Sequence, residues 1–151
     1  MSLTADLCRD FPTLYGPGCG LEAPDGWRDI MYRLSERLKT HSLRVLQVKE
    51  KFGSLRFYYG GGDDTGEIEA AIMEAEDSSF VTCDVCGAPG VLRETEGHWM
   101  MVRCNDHAGE SNPVDPERRD HLPVAYMGLH APRREGVARG FLTMDEVPDA
   151  E

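Results

Sequence analysis

The chain has 151 residues, 40% hydrophobic and 28% charged, and its 27 acidic against 16 basic side chains leave a net charge of −11. That length fits one domain, or one domain with a tail, and the charge excludes binding to nucleic acid or anionic membranes through the overall field, leaving only a local basic face for such contacts. No apolar run approaches the ~18 residues of a membrane span, and Asp6, Arg9 and Asp10 near the start, with no apolar stretch, do not read as a secretory signal, so a cytoplasmic protein is expected.

Residues 11–24 hold Pro12, Pro17, Pro24, Gly16, Gly18 and Gly20, an irregular lead-in. Trp27, Ile30, Met31, Leu34 and Leu38 then recur at helical spacing, which predicts an amphipathic helix over 26–39 with Arg28, Arg33, Glu36, Arg37 and Lys39 on its wet side. The run Leu43–Val48 reads as a strand. Lys49-Glu50-Lys51-Phe52-Gly53 interrupts it, and Leu55, Phe57 and Tyr59 alternate with Arg56 and Tyr58 in a second strand. The pair predicts an antiparallel hairpin turned at Gly53. A second helix is expected over 65–79, opened by Asp64 with Glu67 as a capping box and buried along Ile68, Ala71, Ile72 and Ala75.

The excess acid is uneven: residues 1–50 are neutral, whereas 51–82 carry seven acids against Lys51 and Arg56, and 109–151 carry nine against five Arg. An acidic helix face is ordinarily a solvated one, and it also suits a basic partner. Residues 109–151 are rich in proline (Pro113, Pro116, Pro123, Pro132, Pro148), with apolar islands at Val124–Met127 and Gly140–Met144, and read as an extended tail that wraps on the domain or is disordered.

The chemistry lies between. Cys83-x-x-Cys86 is followed by Cys104-x-x-His107, with seventeen residues between Cys86 and Cys104. Two short-spaced ligand pairs across a predicted hairpin, 91–95 and 98–103, have the spacing of a structural zinc site. Each pair aims two donors at one tetrahedral ion, and three thiolates with one imidazole leave no open position for a reacting water. A redox dithiol, a disulfide set and plain buried thiols are the other readings of the same cysteines. His98 stands at the wrong spacing for the set, and Cys8 and Cys19 read as free thiols. Lys49, Lys51 and Arg56 near Tyr58, with Arg93 and Arg103, form a candidate basic-aromatic face for single-stranded nucleic acid. The competing reading is a hairpin with one wet face. No phosphate cradle, nucleophile elbow or His-Glu-x-x-His motif occurs.

Gly26-Trp27, Gln47-Val48-Lys49-Glu50-Lys51-Phe52-Gly53-x-Leu55-Arg56-Phe57-Tyr58, Ala75-Glu76-x-x-Ser79 and Cys83-x-x-Cys86-Gly87-x-Pro89-Gly90 through Trp99 to Cys104-x-x-His107 occur here in the order of a known family. In these segments, over residues 10–108, the chain resembles a family of small uncharacterised zinc-ribbon proteins of bacteriophage and bacterial genomes. Relatives often carry a Cys shortly before the Gly-Trp, where this chain has Ala23-Pro24-Asp25. The resemblance implies a mobile-element setting, in which small proteins often bind a host protein, defence components included.

The expectation is therefore an α+β protein. Its core spans 1–82, with two helices and a small antiparallel hairpin; a zinc ribbon spans 83–108, and an acidic Pro-rich tail spans 109–151. One structural zinc is held by Cys83, Cys86, Cys104 and His107. The expected function is non-enzymatic protein binding. A nucleic-acid-binding ribbon using Lys49, Lys51, Arg56, Tyr58, Arg93 and Arg103 is the alternative, and no membrane contact is expected.

Overall fold

The computed structural model describes residues 2–63 and 65–115; Asp64, the expected helix cap, and the tail from Pro116 onward, with its two apolar islands, lie outside the described residues. The protein is α+β, with three α-helices and two three-stranded sheets among the described residues. Among the described residues no helix is long and apolar enough to cross a membrane.

The chain begins with a helix that the sequence reading left out. In α1 (Leu3–Asp10) the Ser2 side chain accepts the Ala5 N–H, and Leu3 and Leu7, one turn apart, are buried. Phe11, Leu14 and Tyr15, inside the supposed lead-in, continue into the same core. The Tyr15 hydroxyl donates to Ser35 Oγ at 2.7 Å, because the Ser35 proton is already given to the Met31 carbonyl. Strand β1 (Gly20–Leu21) follows, then a 3-10 turn at Asp25–Trp27 and helix α2 (Arg28–Leu38). Since β1 pairs parallel with β2 (Leu43–Lys51), α2 is the crossover of a βαβ unit.

Strand β2 runs three residues further than its apolar run predicts. Lys49, Glu50 and Lys51 are paired with Arg56, Leu55 and Ser54 of β3 (Ser54–Gly61), so the turn is only Phe52-Gly53. Both turn residues have positive φ, 54° and 86°, the pattern of a tight type I′ hairpin. The Gly53 N–H donates to the Glu50 carboxylate, which holds the turn. A register shift between Val45 and Gln47 extrudes Leu46, so that Val45 and Val48 both reach the core opposite Tyr59 and Phe57.

Helix α3 (Glu67–Ser79) starts after Gly66, which sits in the left-handed region and gives no side-chain cap; Thr65 Oγ1 accepts the Glu67 N–H instead. Its stripe of Ile68, Ala71, Ile72 and Ala75 packs with α2 and β3. Because β3 is the last strand of its sheet, its outward N–H groups need acceptors. Ser79 Oγ accepts the Leu55 N–H at 2.9 Å and donates to the Glu76 carbonyl.

The second sheet has the order β5-β4-β6, built from β4 (Val91–Glu94), β5 (Met100–Arg103) and β6 (Asn112–Pro113), so strand pairing continues past residue 108. Phe80, Leu92, Met100 and Val102 form a small second core, with Phe52 and Val114 against it. The Phe52-Gly53 turn thus joins the two sheets: a Cβ on Gly53 would lie 3.0 Å from Leu92 Cδ1.

Ser79→Ala should cost about 1–3 kcal/mol, since it strands a buried amide. Ser78→Ala, one residue away and partly exposed, should stay within about 0.5 kcal/mol. Urea unfolding of both variants measures the difference.

Candidate metal centre

Two tight turns present the four expected donors. In the first, the Cys83 N–H donates to the Ala88 carbonyl at 2.7 Å and the Gly87 N–H donates to the Cys83 carbonyl at 3.0 Å, with Gly87 at φ 79°. This closes the Cys-x-x-Cys loop and turns Cys83 and Cys86 toward one point. In the second, Cys104 ends β5 in extended conformation and the 3-10 turn Asn105–His107 swings His107 back, its N–H donating to the Cys104 carbonyl.

One donor atom from each of Cys83, Cys86, Cys104 and His107 lies within 4.8 Å of every other, the one such cluster among the described residues. The Cys86 and Cys104 sulfurs are 3.7 Å apart; His107 Nδ1 is 3.7 Å from Cys83 Sγ and 3.3 Å from Cys104 Sγ. A tetrahedral ion with bonds of about 2.3 Å to sulfur and 2.0 Å to nitrogen has edges of about 3.8 Å between sulfurs and 3.5 Å between sulfur and nitrogen. The cluster has these dimensions, so it is compatible with a single metal site. All five cysteines are free thiols, and a 3.7 Å sulfur separation is not a disulfide.

The electrostatics favour thiolate at Cys83. Burial opposes ionisation of Cys83, but the N–H groups of Cys104, Cys86 and Val85 aimed at its sulfur outweigh it and lower the thiol to about 6. At Cys86 the Ala88 amide favours the thiolate, yet partial burial and the neighbouring Cys83 and Cys104 thiols push the thiol up. Crowded thiols that resist joint ionisation are what a bound cation relieves.

Two of the candidate nucleic-acid contacts are struts of this site. Arg93 is only 6% exposed, and its guanidinium donates to Asn105 Oδ1 at 2.8 Å and to the Arg103 and Ser111 carbonyls, pinning the turn that carries His107. Arg103 donates to Asp84 Oδ1 at 2.9 Å, tying the second turn to the first. The other four lie on one face of the first sheet, opposite the face that bears the core residues Leu55, Phe57 and Tyr59. Lys49 stands opposite Arg56 and Gln47 opposite Tyr58. Arg56 donates to Ser54 Oγ, Lys51 Nζ lies over the Phe52 ring, and Tyr58 is buried. The structure therefore does not bring the six together as one basic face. Glu50, adjacent in sequence, is on the opposite side of the strand.

His98 lies outside the cluster: it sits in the β4–β5 loop at φ 61° with Nδ1 2.6 Å from the Glu94 carboxylate. Cys8 is exposed on α1, and Cys19 is half-buried against the main core. The sequence reading missed the positioning roles of Gly26 and Asp84. The Gly26 N–H donates to the Asp84 carbonyl at 3.0 Å, and a Cβ at Gly26 would lie 2.2 Å from the Cys83 carbonyl oxygen. Asp25-Gly26-Trp27 before a helix carried that signal, since a glycine there serves a close backbone approach as well as a helix start.

Comparison with protein families, characterised proteins and solved structures finds no match to this chain.

Cobalt(II) added to reduced, metal-free protein should give the intense near-ultraviolet charge-transfer bands of thiolate ligation at one equivalent. The bands should weaken sharply in Cys104→Ala and be unchanged in Cys8→Ala.

Proposed function

We propose that the C-terminal sheet is a zinc ribbon. One structural Zn2+ would be held by the sulfurs of Cys83, Cys86 and Cys104 and by Nδ1 of His107. The convergence of three sulfurs and one imidazole nitrogen at tetrahedral edge lengths carries this reading. Thiolate-rich sets select soft or borderline ions, and four protein ligands leave no place for a bound water, so the ion's role is to cross-link rather than to react. The two arginine struts fit that role because they fix the turns instead of facing a substrate.

On this reading the protein acts by occupying the surface of a protein partner, in the phage or mobile-element setting that its sequence resemblance implies. The supporting feature is the helical side of the molecule. A groove of about 360 Å3 runs between α2 and α3, lined by Ile30, Leu34, Ala71 and Ala75 and flanked by Arg37 and Glu74. Beside it α3 presents acidic residues, with the Glu74 side chain 66% exposed even while paired with Arg37. The groove's rim carries Arg33 and Arg37 as well as Glu36 and Glu74, and the apolar floor beside the acidic helix α3 suits a partner that presents an apolar ridge with basic residues next to it. The nucleic-acid alternative loses Arg93 and Arg103 to internal bonding. The tail, acidic and rich in proline, would add to the same negative field.

Protein purified without added metal should contain one zinc per chain by elemental analysis, and Cys104→Ala should lose both the zinc and the order of residues 82–113 in NMR spectra. A metal-free protein with a well-ordered ribbon overturns the zinc reading.

The partner reading has its own test. Glu69→Arg with Glu74→Arg should abolish partner capture from a host lysate while moving the melting temperature by no more than a few degrees, as for surface substitutions. Turnover of a substrate by the purified protein that is lost on one substitution, with partner capture intact, overturns it.

A further inference from the structure

Three close backbone approaches join the metal-ligand turn to Gly26, and two side-chain bonds continue from its neighbours to α1. The Gly26 N–H donates to the Asp84 carbonyl at 3.0 Å, between the ligands Cys83 and Cys86. Gly26 approaches so closely that a Cβ would lie 2.2 Å from the Cys83 carbonyl oxygen and 2.5 Å from the Asp84 carbonyl carbon. On the other side, a Cβ at Gly87 would lie 3.0 Å from the Gly26 carbonyl oxygen, so the two backbones clasp each other. Next to Gly26, Asp25 Oδ1 accepts the Leu3 N–H at 3.0 Å, and Trp27 is fully buried. Beyond them, the Arg28 guanidinium donates to Asp6 of α1 at 2.9 Å.

Such a clasp has one register. Its shape depends on the Cys83–Cys86 loop being closed, because the carbonyls of Cys83 and Asp84 that meet Gly26 belong to that loop. Backbone hydrogen bonds close that loop, and a bound ion would hold it closed through both sulfurs. We infer that metal occupancy at the Cys/His cluster is relayed through Gly26 to Trp27 and α1, so that release of the ion loosens the N-terminal helix and not the ribbon alone. The inference rests on the zinc reading above, and it makes the surface near α1 and the start of α2 responsive to metal. Linkage makes the effect reciprocal: whatever separates the clasp weakens the metal.

The two tryptophans allow a direct test. Trp27 is fully buried and Trp99 is 67% exposed, so Trp99→Phe leaves Trp27 as the single indole emitter. In that full-length protein zinc is withdrawn with a chelator while indole emission and amide hydrogen exchange are followed. Expected are a red shift of Trp27 emission and faster exchange at Leu3, tracking zinc release and reversed by added zinc, with the Ala71–Ala75 amides of α3 still protected. Zinc release that leaves Trp27 and Leu3 unmoved overturns the relay. So does a uniform loss of protection that includes α3, which would be global unfolding. In the second arm, Gly26→Ala in the same background should bind zinc roughly tenfold more weakly in chelator competition, although Gly26 is no ligand. Ile30→Ala, which opens the helical core away from the clasp, should not change the affinity. Equal affinity in Gly26→Ala overturns the relay, and protein that never binds zinc overturns the metal reading and the relay with it.

Discussion

Among the described residues the second sheet encloses only Phe80, Leu92, Met100 and Val102, with Phe52 and Val114 at its margin. Ordering some roughly thirty residues around so small an apolar cluster is unfavourable without an added constraint, which is why domains of this size depend on cross-links, metals or docking. The geometry supplies constraints at both ends. At one end the four donors meet, and at the other the sheet rests on the main domain. The arginines belong to the same logic: Arg93 spans from β4 to Asn105 and Ser111, and Arg103 reaches Asp84. Both tie strand to turn where apolar packing is too thin to do so.

The docking depends on conformations that side chains resist. Phe52 adopts a positive φ, uncommon for any residue but glycine and its polar relatives. The cost is offset by placing its ring against the second core, with Lys51 Nζ 5.5 Å from the ring centroid. The hairpin that looks like a surface loop in the sequence therefore inserts between the two sheets. The same insertion accounts for Glu50, half-buried, whose carboxyl is pushed up by burial while its oxygen accepts the Gly53 N–H. One turn of two residues sets the distance between the helical domain and the Cys/His sheet.

Where the sequence was legible, a single physical period dominated. The stripes Trp27–Leu38 and Ile68–Ala75 read as helices because their apolar residues recur at 3.6, and the four donors stood out because two short-spaced pairs of metal-binding residue types flank a hairpin-length stretch. Helix α1 was missed because only Leu3 and Leu7 mark its buried face in eight residues, and attention to the charges Asp6, Arg9 and Asp10 concealed them. Those charges are structural: Asp6 accepts from both Arg9 and Arg28. The lead-in looked irregular because proline and glycine punctuate it, yet Phe11, Leu14 and Tyr15 are core; breakers describe backbone path, not burial. Strand β1 could not be seen, since two residues paired parallel to a distant strand carry no local period. Lys49-Glu50-Lys51 read as a break because charge suggested a turn, whereas alternate sides of one strand take Lys and Glu separately. The basic-aromatic face failed for a related reason. Spacing says which residues share a strand face but not which guanidinium is already bonded, and Arg93 and Arg103 are bonded to the turns beside the second sheet.

That distribution of charge bears on what the molecule offers a partner. Among the described residues several arginines are engaged by internal partners. Arg28 is held by Asp6, Arg37 by Glu74 and Arg103 by Asp84, while Arg93 is buried. The acid is in surplus, and on α3 Glu67 and Glu74 are exposed while Glu76 is buried. A field of this sign speeds encounter with a basic surface and repels polyanions, an effect that salt screens within about 8–10 Å. Residence on the partner would then depend on the apolar groove beside α3, which salt does not weaken. The two contributions are separable in kinetics: on the proposed reading, ionic strength governs the association rate and groove packing governs dissociation. A structural metal fits this division of labour. On the proposed reading it would add order to a small protein without adding a reactive position, and would leave the helical face, rather than the metal, to meet the partner.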